Sequence, residues 1–338
     1  MVFVRVGEME MRDRPDRSPG LGEVTVAVRA SGICGSDVHG YLGLTGRRQP
    51  GMVMGHEAAG EIVELGADVS GLAVGQRVAL RSILGCGRCD LCQHGQSNVC
   101  EGRRGLGMQF DGAYAERMVV PADLAVPIPD TLSHEHAALV EPFAVALHAV
   151  AVTPLEPTDD VVIVGAGPIG LLTLLAVRHR GARSVTITDR SPHRLAMATS
   201  LGADRVIDVR TTDPVAVVRT ATDGRGADVV FEAVGITATV AQSLAAVRTA
   251  GHVTWIGNSA PIVELPMQDM VTRELTLRGS YTFASEFEAA IDLLATGEVD
   301  VAPLIELTAS LEDGPDLFHR LGDGSLEAVK VVLIPAGR

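Results

Sequence analysis

The four apolar residues Val161–Val164 run directly into Gly165-Ala166-Gly167-Pro168-Ile169-Gly170, and no other stretch restricts the fold as tightly. A continuous apolar run reads as a strand buried on both faces, as in a parallel sheet. A GxGxxG loop alone marks only a tight turn. Between such a strand and a helix, each glycine gains a task. The first makes the turn, the second lets backbone approach a pyrophosphate, and the third lets helix pack on strand. The helix N-terminus then faces the phosphates.

Helix-like sequence continues to about Arg180, and Ser184–Asp189 reads as a second strand. Ser191 can cap the next helix, with Pro192 at its first position. Asp228–Gly235 and His252–Asn258 read as further buried strands. This alternation predicts a doubly wound parallel sheet in an α/β chain. Asp189 lies 19 residues beyond Gly170, at the end of the second strand. A carboxylate there accepts adenosine ribose hydroxyls and repels a 2′-phosphate, which favours NAD over NADP. Arg190 and Arg194 pull the other way, since either could pair with that phosphate.

The flanking sequence has a different texture. Val24–Ala30, Ala58–Glu64 and Val78–Leu80 read as short strands punctuated by Gly66, Gly71 and Gly75, which predicts a compact, antiparallel, barrel-like domain. Near the end, Ser285 and Glu288 fit a capping box, and Phe287, Ala290, Ile291 and Leu294 form an apolar helix face. Val329–Ile334 reads as a last strand. A chain of 338 residues has room for two domains. Its 28 Lys and Arg against 42 Asp and Glu argue against nucleic-acid binding. The most apolar run, Val161–Val177, is interrupted by three glycines and a proline, so no membrane span is expected. The start lacks a long apolar segment, and a cytoplasmic protein is the expectation.

Five cysteines remain to be placed. Cys86, Cys89, Cys92 and Cys100 follow C-x2-C-x2-C-x7-C. Four thiolates can close a tetrahedral zinc shell that folds a loop and does no chemistry. An iron–sulfur cluster also takes four cysteines, but the spacing is not the usual ferredoxin run. His94 is not needed as a ligand. The fifth cysteine sits in Cys34-Gly35-Ser36-Asp37-Val38-His39, with Gly55-His56-Glu57 and Glu141-Pro142 further on. A thiolate, an imidazole and a carboxylate would make a three-ligand zinc site with an open position. Such a metal would act as a Lewis acid on a substrate hydroxyl.

The order of these pieces resembles the zinc-containing medium-chain dehydrogenase/reductase superfamily, and within it the polyol (sorbitol-type) and threonine dehydrogenase branch. The likeness spans nearly the whole chain. It implies a GroES-like, β-rich catalytic domain over 1–144 and 282–338, with a structural zinc lobe at 85–101. A Rossmann domain would occupy 145–281. It implies Cys34 and His56 as ligands of a catalytic zinc, with either Glu57 or Glu141 as the third. A cysteine stands in the place of Glu141 in simple alcohol dehydrogenases, so Glu141 points toward the polyol-like branch. Ser36 and His39 would relay the released proton. Gly165, Gly167, Pro168, Ile169, Gly170, Asp189, Arg190, Arg194 and Val234 would bind the cofactor.

The expected activity is hydride transfer between a secondary, polyol-like alcohol and NAD. A simple alcohol or a threonine-type amino alcohol is the alternative substrate. The alternative of another class is a non-catalytic zinc protein that senses dinucleotide. Tyr41 and Phe110 stand near the family's substrate-contacting segments. A homodimer or homotetramer is expected, with Val263–Thr282 able to extend the sheet across a two-fold axis.

Overall fold

The computed structural model describes residues 1–336. They divide into two compact units, Met1–Glu141 together with the segment from Phe287 onward, and Pro142–Glu286.

The second unit carries a six-stranded, wholly parallel sheet. Its spatial order is Arg205–Asp208, Ser184–Asp189, Asp160–Val164, Ala227–Glu232, Val247–Trp255 and Thr276–Gly279. The chain starts in the middle, winds outward on one side, then returns to wind outward on the other. The order reverses between Asp160–Val164 and Ala227–Glu232, and ligands bind such sheets outside the carboxyl ends of the strands at that reversal. Val162, Val164, Val230 and Val253 pack with Val240 and Leu244 in its core. Local signals set the helix starts. Pro168 opens Pro168–His179, and the Ser191 hydroxyl accepts the Arg194 amide at 3.3 Å to cap Pro192–Ser200.

The first unit is built on a seven-stranded sheet. Glu23–Gly32 pairs antiparallel with Glu57–Leu65, Arg117–Pro121 and Lys330–Ile334. Lys330–Ile334 also pairs with Ile305–Ser310, in parallel. The antiparallel expectation therefore holds except for this one pair, whose strands are joined through the helix Gly314–Asp323. Val24, Val26, Ile62, Val78, Leu80 and Val120 form one core. Met1, Phe3, Tyr41, Tyr114 and Phe318 form another, with the Tyr114 and Phe318 rings edge-on at 5.5 Å.

Tyr41 packs in that second core and donates its hydroxyl to the Gly7 carbonyl at 2.8 Å. One expectation changes. The capping box of Ser285 and Glu288 does not form. Glu286 is nearer and accepts the Ala284 and Ser285 amides at 2.8 and 3.0 Å, while Glu288 pairs with Arg81. The apolar face of Glu286–Thr296 is buried as expected.

Gly170 has no room for a side chain, because a Cβ there would lie 1.8 Å from the Gly165 carbonyl oxygen. Gly170→Ala should cost about 1–3 kcal/mol of stability, measured by urea unfolding. An unchanged midpoint would show that this packing is not what the glycine serves.

Candidate functional site

Three strands of the first unit converge on one cluster. Glu23–Gly32 leads to Cys34, which is the N-cap of the helix Gly35–Tyr41. Gly55, at φ +99°, turns the chain into His56 and the strand Glu57–Leu65. Glu57 lies opposite Gly32 in the antiparallel register. A Cβ on Gly32 would sit 2.2 Å from Glu57 Oε2, so that glycine makes room for the carboxylate. One donor atom each from Cys34, His56 and Glu57 lies within 4.8 Å of the others.

Buried charges hold these donors. Asp37 is fully buried, and its Oδ1 takes Arg48 Nη2 at 2.6 Å. Its Oδ2 lies 2.9 Å from the Tyr114 hydroxyl and 3.2 Å from His56 Nδ1. The Nδ1 contact is an ion-pair distance without hydrogen-bond geometry, and Nδ1 has no other partner among the described residues; a carboxylate on that side of the ring leaves the other nitrogen to a metal. Burial opposes the Asp37 charge, yet His56, Arg48 and Tyr114 hold its carboxyl well below the usual carboxylate range. Burial likewise disfavours a cationic His56. Asp37 and Cys34 outweigh it and raise that imidazole well above its ordinary value. The same surroundings that favour a proton on His56 would favour a metal cation there.

Lys330 is almost wholly buried and holds both Glu57 oxygens, at 2.9 and 2.7 Å, and the Ile33 carbonyl at 3.2 Å. Burial opposes its charge, but Glu57 and Cys34 raise its pKa. Glu141, in the first turn of Val140–Ala151, accepts the Ser82 hydroxyl at 2.6 Å. Burial chiefly, with repulsion from Glu57, pushes its carboxyl up to about 7. The Ser36 hydroxyl is 3.3 Å from Cys34 Sγ, and burial lowers the pKa of half-buried His39.

Cys86, Cys89, Cys92 and Cys100 form the second group, their sulfurs within 4.8 Å of one another. Cys100 is buried and Cys86 exposed, and all four are free thiols. His94 Nδ1 instead contacts the Asp90 carbonyl at 2.7 Å. Both donor sets suit zinc, which takes thiolate, imidazole and carboxylate alike.

In the second unit the glycine loop separates its three tasks. Gly165 has φ +99°, Gly170 packs on the Gly165 carbonyl, and a Cβ on Gly167 would meet nothing nearer than Arg194 Nη1 at 3.9 Å. That open space admits a ligand to the backbone, which fits a dinucleotide. Asp189 accepts the Ala166 amide at 2.7 Å and the Ser191 amide at 2.8 Å. Arg190 is exposed, while Arg194 Nε is buried without a hydrogen-bond partner. Val234 packs over Gly165, and its amide donates to buried Glu232 at 3.0 Å.

Arg48, Ser82, Tyr114, Glu232 and Lys330 were not singled out from sequence. Only Lys330 left a clear signal, as a lone cation opening the apolar run Val331–Ile334. Phe110 lies under the Arg104 guanidinium at 4.5 Å.

Comparison with known proteins agrees with this architecture. Residues 20–130 match the alcohol dehydrogenase GroES-like domain, and residues 168–296 match the zinc-binding dehydrogenase domain. A sorbitol dehydrogenase of Bacillus subtilis is 36% identical, covering 97% of this chain and 94% of its own. A zinc-binding dehydrogenase of Sinorhizobium meliloti, solved with NADP, is 34% identical with a TM-score of 0.91, covering 99% and 98%. An alcohol dehydrogenase of Escherichia coli CFT073, solved with NADH, is 30% identical with a TM-score of 0.91, covering 98% of both chains.

Cys100→Ser should lower zinc from two ions per chain to one and open the cysteine lobe to protease. Elemental analysis with limited proteolysis checks this, and two retained ions would exclude Cys100 as a ligand.

Proposed function

The chain belongs to the zinc-containing medium-chain dehydrogenase/reductase superfamily as an NAD(P)-dependent alcohol/polyol dehydrogenase acting on CH–OH donors, and from that premise we propose that it oxidises a secondary, polyol-like alcohol with NAD. The proximity of Cys34, His56 and Glu57 carries the reading. Glu141, where simple alcohol dehydrogenases have cysteine, supports a polyol over a simple alcohol or an amino alcohol. With both ligand sets present, the dinucleotide-sensor reading is set aside.

Zinc held by Cys34, His56 and Glu57 would supply the Lewis acidity, and the nicotinamide would take the hydride. The protein's own work is placement and proton handling. Asp37 orients His56, and Lys330 offsets the buried charge of Glu57. Glu141 stands in reserve on Ser82, able to approach the metal during turnover. Ser36, beside Cys34 Sγ, receives the hydroxyl proton and His39 passes it to solvent. His39 accepts only when neutral. Its lowered pKa keeps it neutral to more acidic pH than a free imidazole, and alcohol oxidation falls as pH drops through that value.

Asp189 supports NAD through its place at the end of the strand Ser184–Asp189, where a carboxylate accepts ribose hydroxyls and repels a 2′-phosphate. Arg190, which is exposed, and Arg194, whose Nη1 would stand 3.9 Å from a Cβ on Gly167, are the cations that would favour a 2′-phosphate instead. Free thiols in both metal sets suit a reducing cytoplasm. No helix among the described residues is long and apolar enough to cross a membrane. A homodimer or homotetramer is supported by the edge strand Thr276–Gly279 and by exposed Ile262, Met267 and Val271.

A panel of polyols, simple alcohols and threonine, followed by nicotinamide absorbance, tests the substrate class. A polyol should give the highest kcat/KM, and preference for ethanol or threonine would overturn the assignment. Glu57→Gln should lose the catalytic zinc while Glu141→Gln keeps it; the reverse makes Glu141 the ligand. Asp189→Ala should lower the NAD/NADP ratio of kcat/KM, and an unchanged ratio would remove the ribose role. His39→Asn should slow oxidation on the order of 10²-fold at neutral pH, with a smaller deficit in alkali. Equal rates across the pH range would remove His39 from the relay.

A further inference from the structure

Arg48 belongs to no part of the activity as assigned, yet it is placed with unusual care. It lies in the loop between the helix Gly35–Tyr41 and Gly55, but its side chain is only 5% exposed. The guanidinium is spent on one oxygen of Asp37, at 2.6 Å, and its Nε has no partner among the described residues. Gly40 makes room for it, since a Cβ there would stand 2.5 Å from Arg48 Cγ.

The two oxygens of Asp37 therefore do different work. Oδ1 is anchored by Arg48, and Oδ2 faces His56 and Tyr114. A carboxylate held at one oxygen cannot rotate away with the other. We propose that Arg48 is a positioning residue for the catalytic metal, locking Asp37 with Oδ2 beside His56 Nδ1, at 3.2 Å, so that the carboxylate keeps that side of the ring and Nε2 is offered to the ion. Without Arg48, Oδ1 is buried and unsatisfied, the carboxylate turns to find a donor, and the imidazole loses its orientation. Such outer contacts change metal affinity by about 10–100-fold. This role rests on the reading of Cys34, His56 and Glu57 as a zinc site.

Chelator competition on the intact protein tests it, with the four-cysteine zinc as an internal reference. Arg48→Met should weaken the catalytic site about 10–100-fold and alter the visible spectrum of its cobalt-substituted form. Arg48→Lys should recover part of the loss. In an Asp37→Asn background, Arg48→Met should add little, because its effect travels through Asp37. Gly40→Ala, favourable to the helix, should push Arg48 aside and weaken the metal similarly, and it serves if Arg48→Met does not fold. Wild-type affinity and an unchanged cobalt spectrum in Arg48→Met or Gly40→Ala overturn the proposal, as does additivity with Asp37→Asn. A wild-type chain holding only the four-cysteine zinc overturns the site reading itself. Two ions in the wild type, with unchanged affinity in the variants, overturn the role of Arg48 alone.

Discussion

A buried carboxylate must be answered by protein groups, and Asp37 is answered by two donors, Arg48 and Tyr114, with His56 Nδ1 at ion-pair distance, 3.2 Å. Each of the three comes from a different stretch of chain, so this one charge ties together a helix, a loop, a core aromatic and a strand end. Lys330 and Glu57 repeat the device with a second buried pair, joining Lys330–Ile334 to Glu57–Leu65. Removing one member of such a pair strands the other, at about 3–5 kcal/mol. Ion pairs of this kind are weak sources of stability, since well-packed apolar groups do as well. Their retention around Cys34 and His56 is explained by orientation instead. The cluster holds donors apart and aimed.

The dinucleotide loop works by the opposite means. Its geometry comes from missing side chains, with Gly165 in the left-handed region, Gly170 against a carbonyl and Gly167 facing space. Side-chain anchoring enters through Asp189 and Glu232, whose carboxylates collect main-chain amides at the ends of the two strands that flank Asp160–Val164. Both stand where the strand order reverses or beside it, so the sheet topology itself gathers these residues.

The four central strands of the parallel sheet were legible because they carry apolar runs punctuated by glycine or a cap. Ser184–Asp189 came out with its observed bounds and three others with ends shifted by a few residues, whereas the edge strands Arg205–Asp208 and Thr276–Gly279, short and mixed in composition, were not read as strands. The first unit was harder. Arg117–Pro121 and Ile305–Ser310 are half-exposed strands with mixed composition, and their pairing depends on partners far away in sequence. The metal donors were visible as residue types in order. Their convergence was not, because register brings Glu57 opposite Gly32 and Lys330 beside Cys34, and register is not written locally. Arg48 and Tyr114 carry no local signal that sets them apart from a loop cation and a core aromatic. The misplaced capping box has the same origin, as two glutamates competed for one helix start and proximity chose Glu286.

The double engagement of Asp189 with the Ala166 and Ser191 amides has an evolutionary consequence. The side chain that would discriminate between coenzymes also fastens the phosphate loop to the following turn. A lineage exchanging it for a small residue alters charge and loosens that clasp in one stroke. Any substitution at this position therefore acts on loop geometry as well as on local charge.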